Sequence, residues 1–411
     1  MIRLNNKTTM FFKKCFFFSF LLLAVLHFSL FSAINLSNTS IDSLWPAVAV
    51  NSAGEIMVVW TEWEGSGKMF YRTFKNGQWS SVKNAQIVSQ LAWSNQLEVD
   101  SYGTFHASWA DGYGSHGRDI YYSYYTGSNW ATAERIYYSP YNSAWNKMDI
   151  DTNNDIHVIW YHSHVPKGQI SSDVVTISKS RMGNWPANYK NISNTPSLES
   201  IHPAIAVRNG NIYSCWMEGA SPRRLYFCEK TGGSWKTPTQ IDQPGYYPDM
   251  DLDTSGNVHI VYSNWGGNFY YISRVNGTWN TKEVISNGTS PLQFGDIKHK
   301  SNVVVAAWIQ GSDGNWSVYT TAKIIGGEWV TPLKVADTPG GSDGNKHVQV
   351  ALDSNNCAHY VWEGIGVGGN HDIFYETVCV EDPVGTFIEV DKSFLSFTTD
   401  GSYNPDPQTF Q

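Results

Sequence analysis

Apolar and polar residues alternate with a period of two along most of this chain, in short runs separated by Gly-, Asn- and Asp-rich turns, the signature of half-buried strands. One stretch shows the pattern clearly. Residues 248–253 and 257–263 read as two strands joined by Asp253-Thr-Ser-Gly256. Residues 268–274 form a third, and Asn276-Gly277 is a hairpin turn into a fourth that runs to about residue 286. No helical periodicity is found after residue 33.

This unit recurs. Trp60, Trp109, Trp160, Trp216, Trp308 and Trp362 each end an apolar run, and Tyr262 fills the one gap. A second series, Trp79, Trp130, Trp185, Trp235, Trp279 and Trp329, follows shortly after glycines. The first turn returns as Asn51-Ser-Ala-Gly54, Asp100-Ser-Tyr-Gly103, Asp151-Thr-Asn-Asn154 and Asp353-Ser-Asn-Asn356. Seven units with a period of roughly fifty residues and four short strands each predict an all-β, seven-bladed propeller.

The ends of the array complete the picture. The seventh unit supplies only three strands. Residues 33–37 (Ala-Ile-Asn-Leu-Ser) match the last strand of the third unit, Asn191-Ile-Ser-Asn-Thr195. The N-terminal strand is therefore expected to complete blade 7 and close the ring, removing its open edges. The propeller spans residues 34–380 on this reading. Residues 1–33 carry Arg3, Lys7, Lys13 and Lys14 before an apolar run, a secretory signal pattern, with an uncleaved anchor as the alternative. Residues 381–411 leave the blade pattern and read as a linker and the start of a truncated β-sandwich module.

The formal charge is −8, and removing residues 1–33 takes away four bases and no acid. Such a chain argues against nucleic acid as a partner, and against a membrane unless the N-terminal segment stays as an anchor. Secretion or cell-surface display permits disulfides. Cys215 and Cys228 flank one hairpin, and Cys357 and Cys379 another. If Trp216 faces Phe227 and Trp362 faces Phe374, both pairs are in register; four buried thiols are the alternative.

Candidate ligand-binding residues come from positions that the repeat places on one face, where strand ends and loops meet. The residue before each first strand is Trp45, Ser94, Trp145, His202, Tyr247, Gln293 and His347, with Trp93 and Phe294 adjacent. Two residues beyond each anchor lie Glu62, Asp111, His162, Glu218, Asn264, Gln310 and Gly364. Aromatic planes beside carboxylates suit a sugar, so Trp45, Trp145 and Tyr247 are expected to stack, and Glu62, Asp111 and Glu218 to accept hydroxyl protons, with His162 and His202 beside them. His106, His157, His259 and His359 share one slot, which reads as packing. His162 and His164 stand outside it as candidates for acid–base work. Glu98, Asp149 and Asp251 share a slot with Lys298 and are expected in the central channel. No catalytic set, metal-ligand set or cofactor motif emerges.

The turns carry a resemblance. Ser273-Arg-Val-Asn-Gly277-Thr-Trp279 is similar to the Asp-box of sialidase-like propellers built from bacterial neuraminidase repeats, one residue short and without the aspartate. Residues 387–411 resemble the start of BACON-type immunoglobulin-like modules. The kinship implies a glycan-directed secreted propeller. It does not supply the arginine triad of a sialidase: no Arg-Ile-Pro segment is present. The expected function is binding of an extracellular glycan or protein ligand. Glycoside hydrolysis or polysaccharide lysis, with His162 or His164 and Arg118, is the alternative, and a protein-binding scaffold is a third reading.

Overall fold

The computed structural model describes residues 26–27 and 33–380, apart from 89, 113–116, 165–170, 265–266, 289–291, 313–314, 340–346 and 367. The expected leader (save Leu26–His27) and the expected linker and sandwich module of residues 381–411 lie outside them. Seven antiparallel sheets stand around an axis, and the described residues contain no helix. In blade 1 the strands are A, Asp42–Val50; B, Ile56–Glu64; C, Ser66–Lys75; and a broken D, Gln78–Trp79 with Lys83–Asn84. The A strands of the other blades are Ala92–Val99, Ser143–Ile150, Ser200–Arg208, Tyr246–Leu252, Leu292–Lys300 and Gln349–Leu352, and they surround the channel.

Blade 7 is completed from the other end of the chain. Ile34–Asn35 pairs with Tyr375 and Phe374 of the strand His371–Val380. Leu26–His27, inside the stretch read as a leader, pairs with Val380 and Cys379.

Both tryptophan series pack between blades. The B-strand anchors are fully buried in the cores between neighbours, Trp109 with residues of blade 1 and Trp308 with residues of blade 5. Several stack on the directly opposite C-strand ring, as Trp109 does on Tyr121 and Trp362 on Phe374. The second series joins blades. Trp130 meets Tyr71 of blade 1 edge-on at 6.0 Å, Trp185 meets Tyr122 at 5.3 Å, and Trp329 meets Tyr271 at 4.9 Å. Trp79 meets Tyr375 at 5.0 Å, so the same contact spans the closure.

The cysteine pairs part ways. Trp362 faces Phe374, so Cys357 faces Cys379 and the two are bonded. In blade 4 Trp216 faces Tyr226, not Phe227, which sets Cys215 opposite Phe227 and Cys228 opposite Ser214. A one-residue slip sends alternate side chains to opposite faces. Cys215 and Cys228 thus enter different inter-blade cores and are free, correcting the proposed second bridge.

Candidate functional site

One backbone device repeats at the head of the A strands. Trp45, Ser94, Trp145, His202, Tyr247, Phe294 and His347 all have positive φ, between 22° and 66°. In the first six blades this residue sits in a register break against strand B. A left-handed conformation is costly for bulky side chains, and a bulge re-aims the residue that carries it. Here the bulges turn one side chain per blade over the axis. The blade 6 member is Phe294, one residue after the Gln293 taken from the sequence.

These side chains pack mainly on each other. Trp45 lies 4.0 Å from Trp93; Trp145 lies 4.3 Å from His202 and stacks on Phe294; Tyr247 lies 4.3 Å from Phe294. They leave about 70 Å³ free at the axial mouth. Four sequence candidates, Trp45, Trp145, His202 and Tyr247, are therefore together, as an aromatic plug. His202 is held neutral by burial, with His347 adding to the effect, its pKa down to about 3.

The second candidate series does not line this mouth. Glu62, Asp111, His162 and Glu218 are buried. Trp60 Nε1 donates to Glu62 at 3.2 Å, Trp216 Nε1 to Glu218 at 3.1 Å, and Trp308 Nε1 to Gln310 at 3.0 Å. Asp111, His162 and Gly364 follow anchors whose indole N–H has no partner among the described residues. Asp111 instead accepts the backbone N–H groups of Gln90 and Leu91. His162 Nδ1 lies 3.1 Å from Ser143 Oγ, and burial first, then His164, lowers its pKa to about 4. His164 bonds Asp173 at 2.8 Å.

The repeated histidines join turn to strand. His106 bridges Asp100 and Tyr122, and His157 reaches Ser178. His259 and His359 meet Tyr271 and Tyr375 in the same manner. In the channel Lys298 meets Glu98 at 3.0 Å beside Asp149 and Asp251. Asp149 accepts the N–H of Val207, and Asp251 that of His299, each from the next blade. No group of three or more His, Cys, Asp or Glu among the described residues is arranged to hold a metal.

Around the plug runs a half-exposed arc with different chemistry. The Arg118 guanidinium lies 4.0 Å over the Trp93 ring. It has no acidic partner among the described residues, and its Nε is buried without an acceptor. Its other end reaches Asn142 Oδ1 at 3.4 Å, and Asn142 Nδ2 donates to the Tyr161 hydroxyl at 2.7 Å. Burial raises the Tyr161 pKa, and Arg118 pulls it back. The arc continues through the Glu199–Arg223 ion pair towards Tyr247. Sequence reading named Trp93 and Arg118 only in passing and missed Asn142. The loops that bring them together have no common length.

No protein-family model matches the sequence, and no curated protein matches it. Solved structures do share its fold. An ulvan lyase described as a new family of polysaccharide lyase superposes with a TM-score of 0.57 at 13% identity, covering 85% of this chain and 96% of that one. Its complex with -[GlcA(1-4)Rha3S]- gives 0.55. A protein of unknown function from Dyadobacter fermentans gives 0.53 at 11% identity, over 85% of this chain and 99% of that one. A second polysaccharide lyase gives 0.52 at 10% identity, over 81% and 89%. At these identities the likeness is one of fold: a seven-bladed propeller, of a kind found among glycan-acting proteins.

Proposed function

We propose that this is a secreted or cell-surface propeller that binds an extracellular glycan on the D–A/B–C face, and that the glycan carries carboxylates or sulfates. The observation that carries the reading is Arg118. A guanidinium stacked on Trp93, flanked by Asn142 and Tyr161 and paired with no acid among the described residues, is poised for a bidentate anion. Trp63 and Trp93 beside it are half-exposed and offer surfaces for sugar C–H faces.

A second reading, eliminative cleavage of a uronate, is favoured by the proximity of Arg118 and the Tyr161 phenol. The first would neutralise the carboxylate and the second would handle a proton. One experiment serves both. Immobilised protein is incubated with ulvan, alginate, polygalacturonate and neutral xylan. Retention of intact anionic chains supports binding, and unsaturated shorter products support cleavage. Equal indifference to all four by the folded protein removes both.

A further inference from the structure

The seven blades act as internal controls for one another, and blade 2 departs from the others at two positions on the opposite face. In the turn after strand A, the third residue is Ala53 in blade 1, Asn153 in blade 3, Ser255 in blade 5 and Asn355 in blade 7; in blade 2 it is Tyr102. On strand C, the partner of the histidine slot is Thr73, Ser178, Glu229, Ser273, Ala322 or Thr377; in blade 2 it is Tyr124. Four other blades put small or polar groups at the first place and six at the second, so folding does not require an aromatic at either. Both tyrosines are exposed, Tyr102 by 75% and Tyr124 by 40%.

They line one cleft. It lies between blades 1 and 2, is also bordered by Tyr125, and measures about 500 Å³, within the range of small-ligand sites. Tyr102 does not dangle. Gly103, at φ 81°, closes the turn that presents it. Arg181 reaches over from blade 3 and lies 4.6 Å from the ring while bonding Asp100 at 2.5 Å and Thr104 at 3.1 Å. A side chain already fixed in this way loses little entropy on binding.

We infer that this cleft is a second glycan site, separate from the axial face, and that it takes an uncharged sugar chain. The tyrosine faces would receive pyranose C–H surfaces, and the hydroxyls of Thr73, Thr104 and Thr126 line the same space. Uncharged is the choice because both bordering cations are already paired, Lys75 with Glu55 and Arg181 with Asp100. Arg118 on the other face has no such partner among the described residues.

The test is affinity electrophoresis of the whole protein through gels containing xylan, galactomannan, mixed-linkage β-glucan or starch. At least one polymer is expected to retard the wild type. Tyr102→Ala with Tyr124→Ala should abolish that retardation with an unchanged melting temperature, since both rings are exposed. Arg118→Ala should leave it intact, which separates this site from the axial one. Retardation undiminished in the double variant, or no retardation by any of the four polymers, overturns the inference.

Discussion

Asn35 donates its side-chain N–H to Asp372 at 2.7 Å, across 337 residues of sequence. Ser37 Oγ and the Thr39 N–H converge on the same carboxylate. Within blade 3, Asn191, Ser193 and Thr195 make the same three bonds to Asp173. The closure thus reuses, between the two ends of the chain, a knot that blade 3 ties locally. Asp372→Ala strands three donors, two of them part-buried, and should cost about 3 kcal/mol. Hydrogen exchange should localise the damage: the Ile373–Tyr375 amides lose protection while those of blade 4 keep it. Uniform loss over all blades would show that the knot does not act as the closure.

Glu218 gives a way to separate a packing role from a binding one. Its carboxylate accepts from Trp216 Nε1 at 3.1 Å, Ser200 Oγ at 2.9 Å and Thr195 Oγ1 at 3.2 Å. Glu218→Ala should lower stability by about 2 kcal/mol, and Glu218→Gln, which keeps an acceptor, by clearly less. Neither should alter glycan retention once the proteins are compared well below their melting temperatures. Lost retention in a folded Glu218→Gln protein would return this residue to the binding surface.

These two residues also show what was legible in the sequence. The closure could be read because Asn35 and Ser37 repeat the pattern of Asn191 and Ser193, and repeats expose a missing strand. The role of Glu218 was misread for a reason available beforehand. Residues i and i+2 of a strand share a face, so a side chain two after a buried tryptophan lies beside the indole and not at the loop tip. Glu and Gln reach that N–H; Asp111 and Gly364 do not. The bulges that turn Trp45, Trp145, His202 and Tyr247 over the axis share no complete sequence signal: proline follows three of these residues, but asparagine follows Trp145. The cysteine register failed in blade 4 because Tyr226 and Phe227 are both plausible partners for Trp216, and the loop length alone does not choose.

Protonation of the histidine slot predicts an acid-side loss of stability. Burial, stronger than the opposing pull of Asp151, brings the pKa of His157 down to about 4, against 6.5 for the free side chain. Between those values the unfolded chain takes up a proton that the folded one refuses. Its contribution is therefore complete above about pH 6.5 and falls away as pH drops towards 4. Asp251, raised by burial to about 6 despite Lys298, works with the opposite sign and stabilises on the acid side. His157→Gln removes only the first effect. Its melting temperature should be lower at pH 7 but should drop less than that of the wild type between pH 7 and pH 4.5. Parallel curves would place the acid sensitivity elsewhere.

The thiols can be counted. Burial raises Cys215 well above the usual range and Cys228 to about 11, so neither forms a reactive thiolate at neutral pH. A chain beginning at residue 34 should show no thiol to an aromatic disulfide reagent while folded, two after denaturation, and four after denaturation with reduction. A count of zero in denaturant without reductant would mean that Cys215 and Cys228 are bonded after all.

The final prediction concerns Arg118, where charge and shape can be varied separately. Arg118→Ala removes both the cation and the plate on Trp93, and should weaken binding of an anionic glycan by about ten- to a hundredfold, the weight of a charge-assisted hydrogen bond. Arg118→Lys keeps the charge but loses the planar fork, so it should recover only part of the affinity. Titration at two salt concentrations distinguishes the contributions. The wild type and the lysine variant should both weaken with salt, and the alanine variant should do so less. Full recovery by lysine would mean that a point charge suffices and that the stacking on Trp93 serves the fold alone. Unchanged affinity in the alanine variant would remove Arg118 from the site and, with it, the case for an anionic ligand.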